Sequence, residues 1–353
     1  IAQALGLNDT TVRVHGRRVG GGFGGRTVCT VELEAAVLAQ ATGLPVKVQW
    51  TRAQEYRQGF HRPPTSHRIR ARLRHGELVD WWHAFSSSHI LFTNAGMPVW
   101  MQRLADLVGD KGVARGAELP YRAQRRRTGF AVTRLPVFTG PWRGLGAGPN
   151  ALAIESAVDE CARLAGVDPV AFRLRHATDP RLARVLQRVA DHAPAAPDTA
   201  APARHGRGVA CGIYKASSYA AVLADVRVEP DGTVQVLRLR CAHDCGTVIN
   251  PDQVRAQCEG NLVWGLGMVL HDRLTVAGAQ IGPGSLGEAP IPTLREVPPM
   301  EIVLVDEKDP PAGAGETAIV AAAGAIANAI RDATGVRITR FPLDPATLTM
   351  RPS

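Results

Sequence analysis

Hydrophobic and polar positions alternate most cleanly in "HRIRARLRHGELVDWWHAFS" at 67–86. Ile69, Ala71 and Leu73 fall on one face and arginines on the other, so a strand is predicted. His75 and Gly76 then turn the chain into a second strand, making a hairpin. "YAAVLADVRVEP" and "TVQVLRLRCAHD" alternate on either side of Asp231-Gly232, a dipeptide that accepts the left-handed backbone of a tight hairpin turn. "TVRVHG" (11–16), "LPVKVQWTR" (44–52) and "MEIVLVDE" (300–307) read as further strands. Helical spacing replaces alternation at 30–42, where Val31, Leu33, Ala35 and Leu38 form an apolar face. It recurs at 151–166, closed by Gly166, with Asp159 and Arg163 one turn apart in the favourable order. Asp168 and Pro169 supply a cap and a first-turn proline for "VAFRLRH". Pro251 opens another helix through "VRAQCEGNLVWGLGMVL". Residues 317–335 are small and apolar nearly all round, which predicts a buried helix ending at Gly335. "HAPAAPDTAAPARHGRG" (192–208) has no periodicity and reads as an extended connector. The expected organisation is a first domain over 1–191, a linker over 192–207 and a second domain over 208–353. The fold class is α+β, with helices packed on mixed or antiparallel sheets.

Composition changes this picture little. The 353 residues are 45% hydrophobic, ample for one or two cores. No apolar run reaches the roughly 18–20 residues that span a bilayer. No basic-then-apolar leader is visible, and the chain opens on Ile1, so an upstream piece is expected and targeting is not read from here; the compartment stays open between cytoplasm and periplasm. The net charge of +9 comes from dispersed arginines, with lysine only at 47, 111, 215 and 308. Only "YRAQRRRTGF" (121–130) is dense, and it lacks the interleaved aromatics of a single-strand platform. It reads as a solvated face or a docking patch for an acidic partner subunit, not as a nucleic-acid site. Six cysteines do not make a disulfide scaffold at this length. In "CAHDC", Cys241, His243 and Cys245 share one face if extended, but no second ligand pair follows at zinc spacing. The stretch reads as a strand end entering a turn at Gly246.

Candidate chemistry centres on "TVRVHGRRVGGGFGGRTVCTVELE" (11–34), where Gly20, Gly22 and Gly25 spell G-x-G-x-x-G between a β-prone and a helix-prone run. A dinucleotide turn would want an acid about 20 residues on; Arg52 instead leaves room for an NADP 2′-phosphate, but β-α-β alternation stops there. The alternative is a glycine loop that brings backbone N–H groups close to another anionic or oxo ligand while Phe23 walls an apolar pocket. Three later stretches share this glycine-rich character. "GPWRGLGAGPNALAIES" holds Arg143, "AQCEGNLVWGLG" holds Gln257, and "PPAGAGETAIVAAAGAIANAI" holds Glu316.

Together and in this order, "GGGFGGR", "WRGLGAGPNALAIESAVDECARLAGVDPVAFRLR", "DCGTVINPDQVRAQCEGNLVWGLG" and "GAGETAIVAAAGAIANAIRDATGVRI" resemble the molybdopterin-binding large subunit of the xanthine dehydrogenase/aldehyde oxidase family. "WTRAQEYRQGFHRPPTSHRIRARL" is most similar to its isoquinoline 1-oxidoreductase and aldehyde dehydrogenase branch. The resemblance covers nearly the whole chain. It implies a molybdenum–molybdopterin cofactor, in its cytosine dinucleotide form, whose metal is held by the pterin dithiolene and by no protein ligand. Gly22, Phe23 and Gly24 correspond to the first cofactor loop, Arg143 and Gly144 to the second, and Gln257 and Gly315 to the pterin-binding positions. Glu316 corresponds to the catalytic carboxylate, a general base for water-derived hydroxylation with hydride transfer to Mo=S. Thr27 and Leu145 stand at substrate-pocket positions where purine-oxidising members carry a glutamate and a phenylalanine, which favours an aldehyde or N-heteroaromatic substrate. Thr317 replaces the usual proline, so a less rigid loop is expected. The family pattern begins upstream of this chain, which implies a companion large-subunit chain supplying the N-terminal half. It also implies a 2Fe-2S small subunit and, further along the electron path, a flavin or cytochrome subunit. The competing readings are an NADP-dependent Rossmann dehydrogenase and a catalytically silent scaffold subunit.

Overall fold

The computed structural model describes the chain except residues 28, 29, 92–99, 102, 103, 105–108, 136, 192, 194, 196–202, 279, 306 and 350–353. A short helix α1 (Ala2–Leu5) precedes α2 (Val31–Thr42) and α3 (Arg52–Gln58), the last held by a capping box between Thr51 and Gln54. The alternating stretch forms β1 (Thr65–Arg74) and β2 (Glu77–Ser87), antiparallel, with His75 and Gly76 both at positive φ in the turn. After α4 (Lys111–Ala114), β3 (Arg125–Val132) lies parallel to β2, giving a three-stranded sheet in the order β1-β2-β3. The dense arginines of β3 are exposed, and Arg125 donates to Asp80 at 2.5 and 3.1 Å.

Helix α5 (Ala147–Leu164) begins one turn earlier than its periodicity alone indicates, inside the glycine-rich stretch. The Asp159–Arg163 pair forms at 3.1 Å. Helix α6 (Pro169–His176) is capped by the Asp168 carboxylate, which accepts from Val170 and Ala171 N–H. Helix α7 (Pro180–Ala190), with Leu182, Val185, Leu186 and Val189 buried, adds to the elements read from the sequence. So does β4 (Arg204–Tyr214), which starts inside the stretch read as linker; residues 192, 194 and 196–202 of that stretch lie outside the described residues. Strands β5 (Ser218–Val228) and β6 (Val234–Asp244) form the second hairpin, and β6 ends at a turn through Gly246 at positive φ, as "CAHDC" suggested. Helix α8 (Pro251–Leu270), a two-strand ribbon of β7 (Val276–Ala277) and β8 (Gln280–Ile281), β9 (Met300–Val305) and α9 (Ala318–Thr334) complete the chain. The second sheet runs β4-β5-β6-β9, with β9 parallel to β6.

Helix α9 sits at the centre. Nearly all its residues are buried, as its small apolar sequence requires, and it closes on Gly335 in the left-handed conformation. It lies so close to β4 that a Cβ on Gly208 would stand 2.1 Å from the Ala329 nitrogen. The sheet face under α9 joins α5 and α8 in one core, and the opposite face joins α5, α6 and α7 in another. Both cores draw on residues from either side of the 192–207 stretch.

Two expected strands are absent. Residues 11–16 follow a 3₁₀ turn at Asp9–Thr11 and belong to no strand, and 44–51 run irregularly into α3. The dinucleotide reading needs a strand feeding the glycine turn. Residues 11–16 pair with no strand of this chain among the described residues, and the mixed sheets are not a doubly wound parallel sheet.

Candidate active site

Glycine at the turn before α5 lets the second loop dive toward the start of α9. Gly144, at φ 84°, donates its N–H to Glu316 Oε1 at 3.1 Å across 172 residues of sequence. Arg143 beside it is buried, and its fork ties three stretches together. Nε donates to Gly315 O at 2.6 Å, and Nη2 donates to Gln257 O at 3.1 Å and Gln257 Oε1 at 2.7 Å. Its guanidinium also lies 5.3 Å from the Phe23 ring centroid and 5.8 Å from that of Trp264. Burial pulls the Arg143 pKa down and the Glu316 charge pushes it back up.

The first loop docks on the second. Gly24 is at φ 106°, and a Cβ there would stand 2.3 Å from Pro141 O, so only glycine fits this approach. Phe23 holds a left-handed backbone at φ 50°, uncommon for a bulky residue, and sets its half-exposed ring 5.3 Å from Trp264. Leu145 is likewise left-handed, at φ 47°. The structure thus brings Phe23, Gly24, Arg143, Gly144, Gln257, Gly315 and Glu316 together. Gly22 accepts the Gly25 N–H within the first loop. Of the two substrate-pocket positions, Leu145 packs into a small apolar cluster with Phe85, Ile90, Val113 and Ala117. Thr27 is exposed and donates its N–H to Gly24 O of its own loop at 3.0 Å.

Several participants escaped the sequence reading. Tyr214, at the end of β4, lies beside Glu316 and accepts from Arg115 Nη1 at 2.9 Å. Burial and the Glu316 charge push its hydroxyl up to about 12, so it stays a donor at neutral pH. Asn261 donates to both Gln257 O and Gly315 O, and Arg62 donates to Arg143 O at 3.1 Å. Thr317, where a looser loop was expected, is fully buried, with its hydroxyl 2.6 Å from Ser218 Oγ. "WGLG" was a visible signal for Trp264; β4 gave none for Tyr214, because its glycines lower its strand propensity.

The rim of this site is bare backbone. A Cβ on Gly313 would meet nothing within 4 Å, and one on Gly315 only Gln257 Oε1 at 3.7 Å. Gln257 is exposed, and its amide nitrogen has no hydrogen bond among the described residues. An open glycine cradle with amide donors fits an oxygen-rich anionic group such as a pterin phosphate. Among the described residues, no helix is long and apolar enough to cross a membrane.

Comparison with known proteins places the chain in a family. Residues 1–177 match a family described as "Molybdopterin cofactor-binding domain", and residues 164–298 match a second family of the same description. A nicotinate dehydrogenase subunit of Pseudomonas putida is 32% identical over 97% of this chain and 30% of its own length. The isoquinoline 1-oxidoreductase beta subunit of Brevundimonas diminuta is 30% identical over 100% of this chain and 45% of its own length. The chain thus spans under half the length of these curated relatives. Among solved structures, the aldehyde oxidoreductase of Desulfovibrio gigas superposes with a TM-score of 0.80 at 18% identity, over 94% of this chain and 54% of that one. Its likeness supports the α+β fold alone. With glycine loops from separate parts of the sequence meeting at Arg143 and Glu316, and both family models matched, the chain belongs to the molybdopterin cofactor-binding domains of the xanthine dehydrogenase family.

Proposed function

We propose that this chain forms the catalytic part of a molybdenum hydroxylase that oxidises an aldehyde or an N-heteroaromatic compound. The observation that carries the reading is the hydrogen bond from Gly144 N–H to Glu316 Oε1, with Arg143 fastening Gly315 and Gln257 beside it. The group held here is the cytosine dinucleotide form of the molybdenum pterin. When bound, it supplies an acidified water and two-electron redox chemistry. Gln257 and the backbone of Gly22, Gly24, Gly144 and Gly315 hold it. The Phe23 and Trp264 rings exclude water from one wall. One oxygen of Glu316 is fixed by Gly144, which leaves the other to take up a proton during hydroxylation. The Tyr214 hydroxyl lies beside the same carboxylate. The relatives' names support the substrate class: nicotinate and isoquinoline are N-heteroaromatics. A companion large-subunit segment and a 2Fe-2S small subunit complete the assembly.

The test is Glu316→Gln. Turnover should fall by about 10²–10⁴ while pterin and molybdenum content stay at the parent level. Substantial turnover in a fully loaded mutant would refute the role; a fully loaded parent that does not turn over would favour a silent scaffold.

A further inference from the structure

Two stretches have the sequence of strands and the exposure of something unfinished. Residues 12–19 and 45–50 carry strand-like sequence on either side of α2, so their order matches that of a βαβ crossover. Such a unit belongs in a parallel sheet covered on both faces. Here neither stretch pairs with the other or with either sheet. Among the described residues, the backbone N–H and C=O groups of 13–21 and 45–50 make no hydrogen bond. Yet 45–50 already shows strand alternation: Val46, Val48 and Trp50 are half-buried, while Pro45, Lys47 and Gln49 are exposed. Trp50 Nε1 donates to Glu34 at 2.7 Å, which seats the stretch against α2.

The apolar side chains nearby are equally unfinished. Val14, Val19 and Leu44 are 69%, 66% and 65% exposed, and α2 has no buried residue at all. A 12-residue helix without tertiary burial is marginal in water. The stretch is also strongly one-signed. Residues 10–31 hold Arg13, His15, Arg17, Arg18 and Arg26 and no carboxylate. The relatives supply a source for a cover, since this chain spans only 30% and 45% of their lengths.

We infer that residues 12–19 and 45–50 are strands of a sheet completed by a second polypeptide segment. That segment is strand-forming, carries acidic side chains, and corresponds to the part of the relatives' length that this chain does not span. It adds to these edges by backbone pairing and covers α2. The first loop follows directly on residues 12–19, so pairing there also steadies Phe23 and Gly24. The inference rests on the proposed companion segment and adds where it docks.

The experiment is hydrogen–deuterium exchange on the purified chain, alone and mixed with a defined probe. The probe is the portion of the Brevundimonas diminuta isoquinoline 1-oxidoreductase beta subunit that this chain does not cover, made as a separate polypeptide. In the chain alone, amides of 13–21 and 45–50 should exchange without protection, while those of β5 and α9 are slow. Adding the probe should slow both stretches by at least about tenfold. Val14→Pro and Val48→Pro, each removing an N–H that no described residue uses, should abolish that slowing without altering β5 or α9. Three outcomes overturn the inference: protection already present in the monomer, protection that grows with the concentration of this chain alone, or no added protection with the probe. Molybdenum and pterin content, measured on the same samples, reports separately on the catalytic reading.

Discussion

Arg143 is the residue whose loss should be felt most widely. Arg143→Ala removes three charge-assisted hydrogen bonds, to Gly315 O, Gln257 O and Gln257 Oε1. Bonds to a charged group contribute about 1.5–3 kcal/mol each, so naive addition gives about 5–9 kcal/mol. The structure says this overshoots. Asn261 Nδ2 already donates to Gln257 O at 2.7 Å and to Gly315 O at 3.2 Å, so neither carbonyl is orphaned by the substitution. Gln257 is exposed, and its side chain returns to water. What remains is the short Nε bond to Gly315 and the cation seated beside the Phe23 and Trp264 rings, the latter about 1 kcal/mol. The expected cost is about 2–4 kcal/mol. Urea titration of parent and mutant measures it as a shift in midpoint at unchanged slope. Pterin content should fall with it, because three loops lose their common anchor. Arg143→Lys keeps the charge but not the fork, and should fall between. A midpoint within about 0.5 kcal/mol of the parent, with full pterin content, would refute the hub role.

Gly24→Ala places a methyl 2.3 Å from Pro141 O at a φ of 106°; it should lower pterin content while thermal unfolding of the helical core stays near the parent, and parent-level content would count against loop docking. Tyr214→Phe removes the hydroxyl that accepts from Arg115 beside Glu316, so kcat should fall by about tenfold at parent pterin content; parent-level kcat would refute a role for the hydroxyl. Burial holds His67 and His243 at about 4, below the 6.5 of an unfolded histidine. The unfolded chain therefore binds more protons in that window, and stability present above pH 6.5 should be lost as pH falls toward 4, by up to about 3 kcal/mol for each histidine. Urea midpoints at several pH values check this; His67→Leu and His243→Leu should flatten the profile, and a flat parent profile would refute it.

Elements with a local signal were legible in the sequence. Asp168-Pro169 and Gly335 mark helix ends because a cap carboxylate and a left-handed backbone are needed there and nowhere else nearby. The site was legible through glycine for a similar reason: Gly24 and Gly144 stand where backbone must approach backbone. Arg143, Gln257 and Glu316 were legible only through the order of their stretches, since nothing local to any one of them points at the other two. Tyr214 was hidden because β4 looks unlike a strand. Gly206 and Gly208 weaken its propensity, and their reason lies in α9, whose backbone comes within about 2 Å of where their Cβ atoms would stand.

The two strands that failed to form teach something different. "TVRVHG" and "LPVKVQWTR" carry the pattern of half-buried strands, and Val46, Val48 and Trp50 obey it in the structure without any ladder. Alternation records which side chains seek burial; it does not record which backbone will pair. Within one complete domain the two usually coincide, because the partner strand is in the same sequence. Where they part, as at 45–50, with side chains alternating in burial and the backbone unbonded among the described residues, the pattern supports the inferred companion segment. On that inference, the exposed valines at 14 and 19 are what a cover would bury. This is why the edges at 12–19 and 45–50 are informative about assembly, while the loops at Arg143 and Glu316 are informative about chemistry.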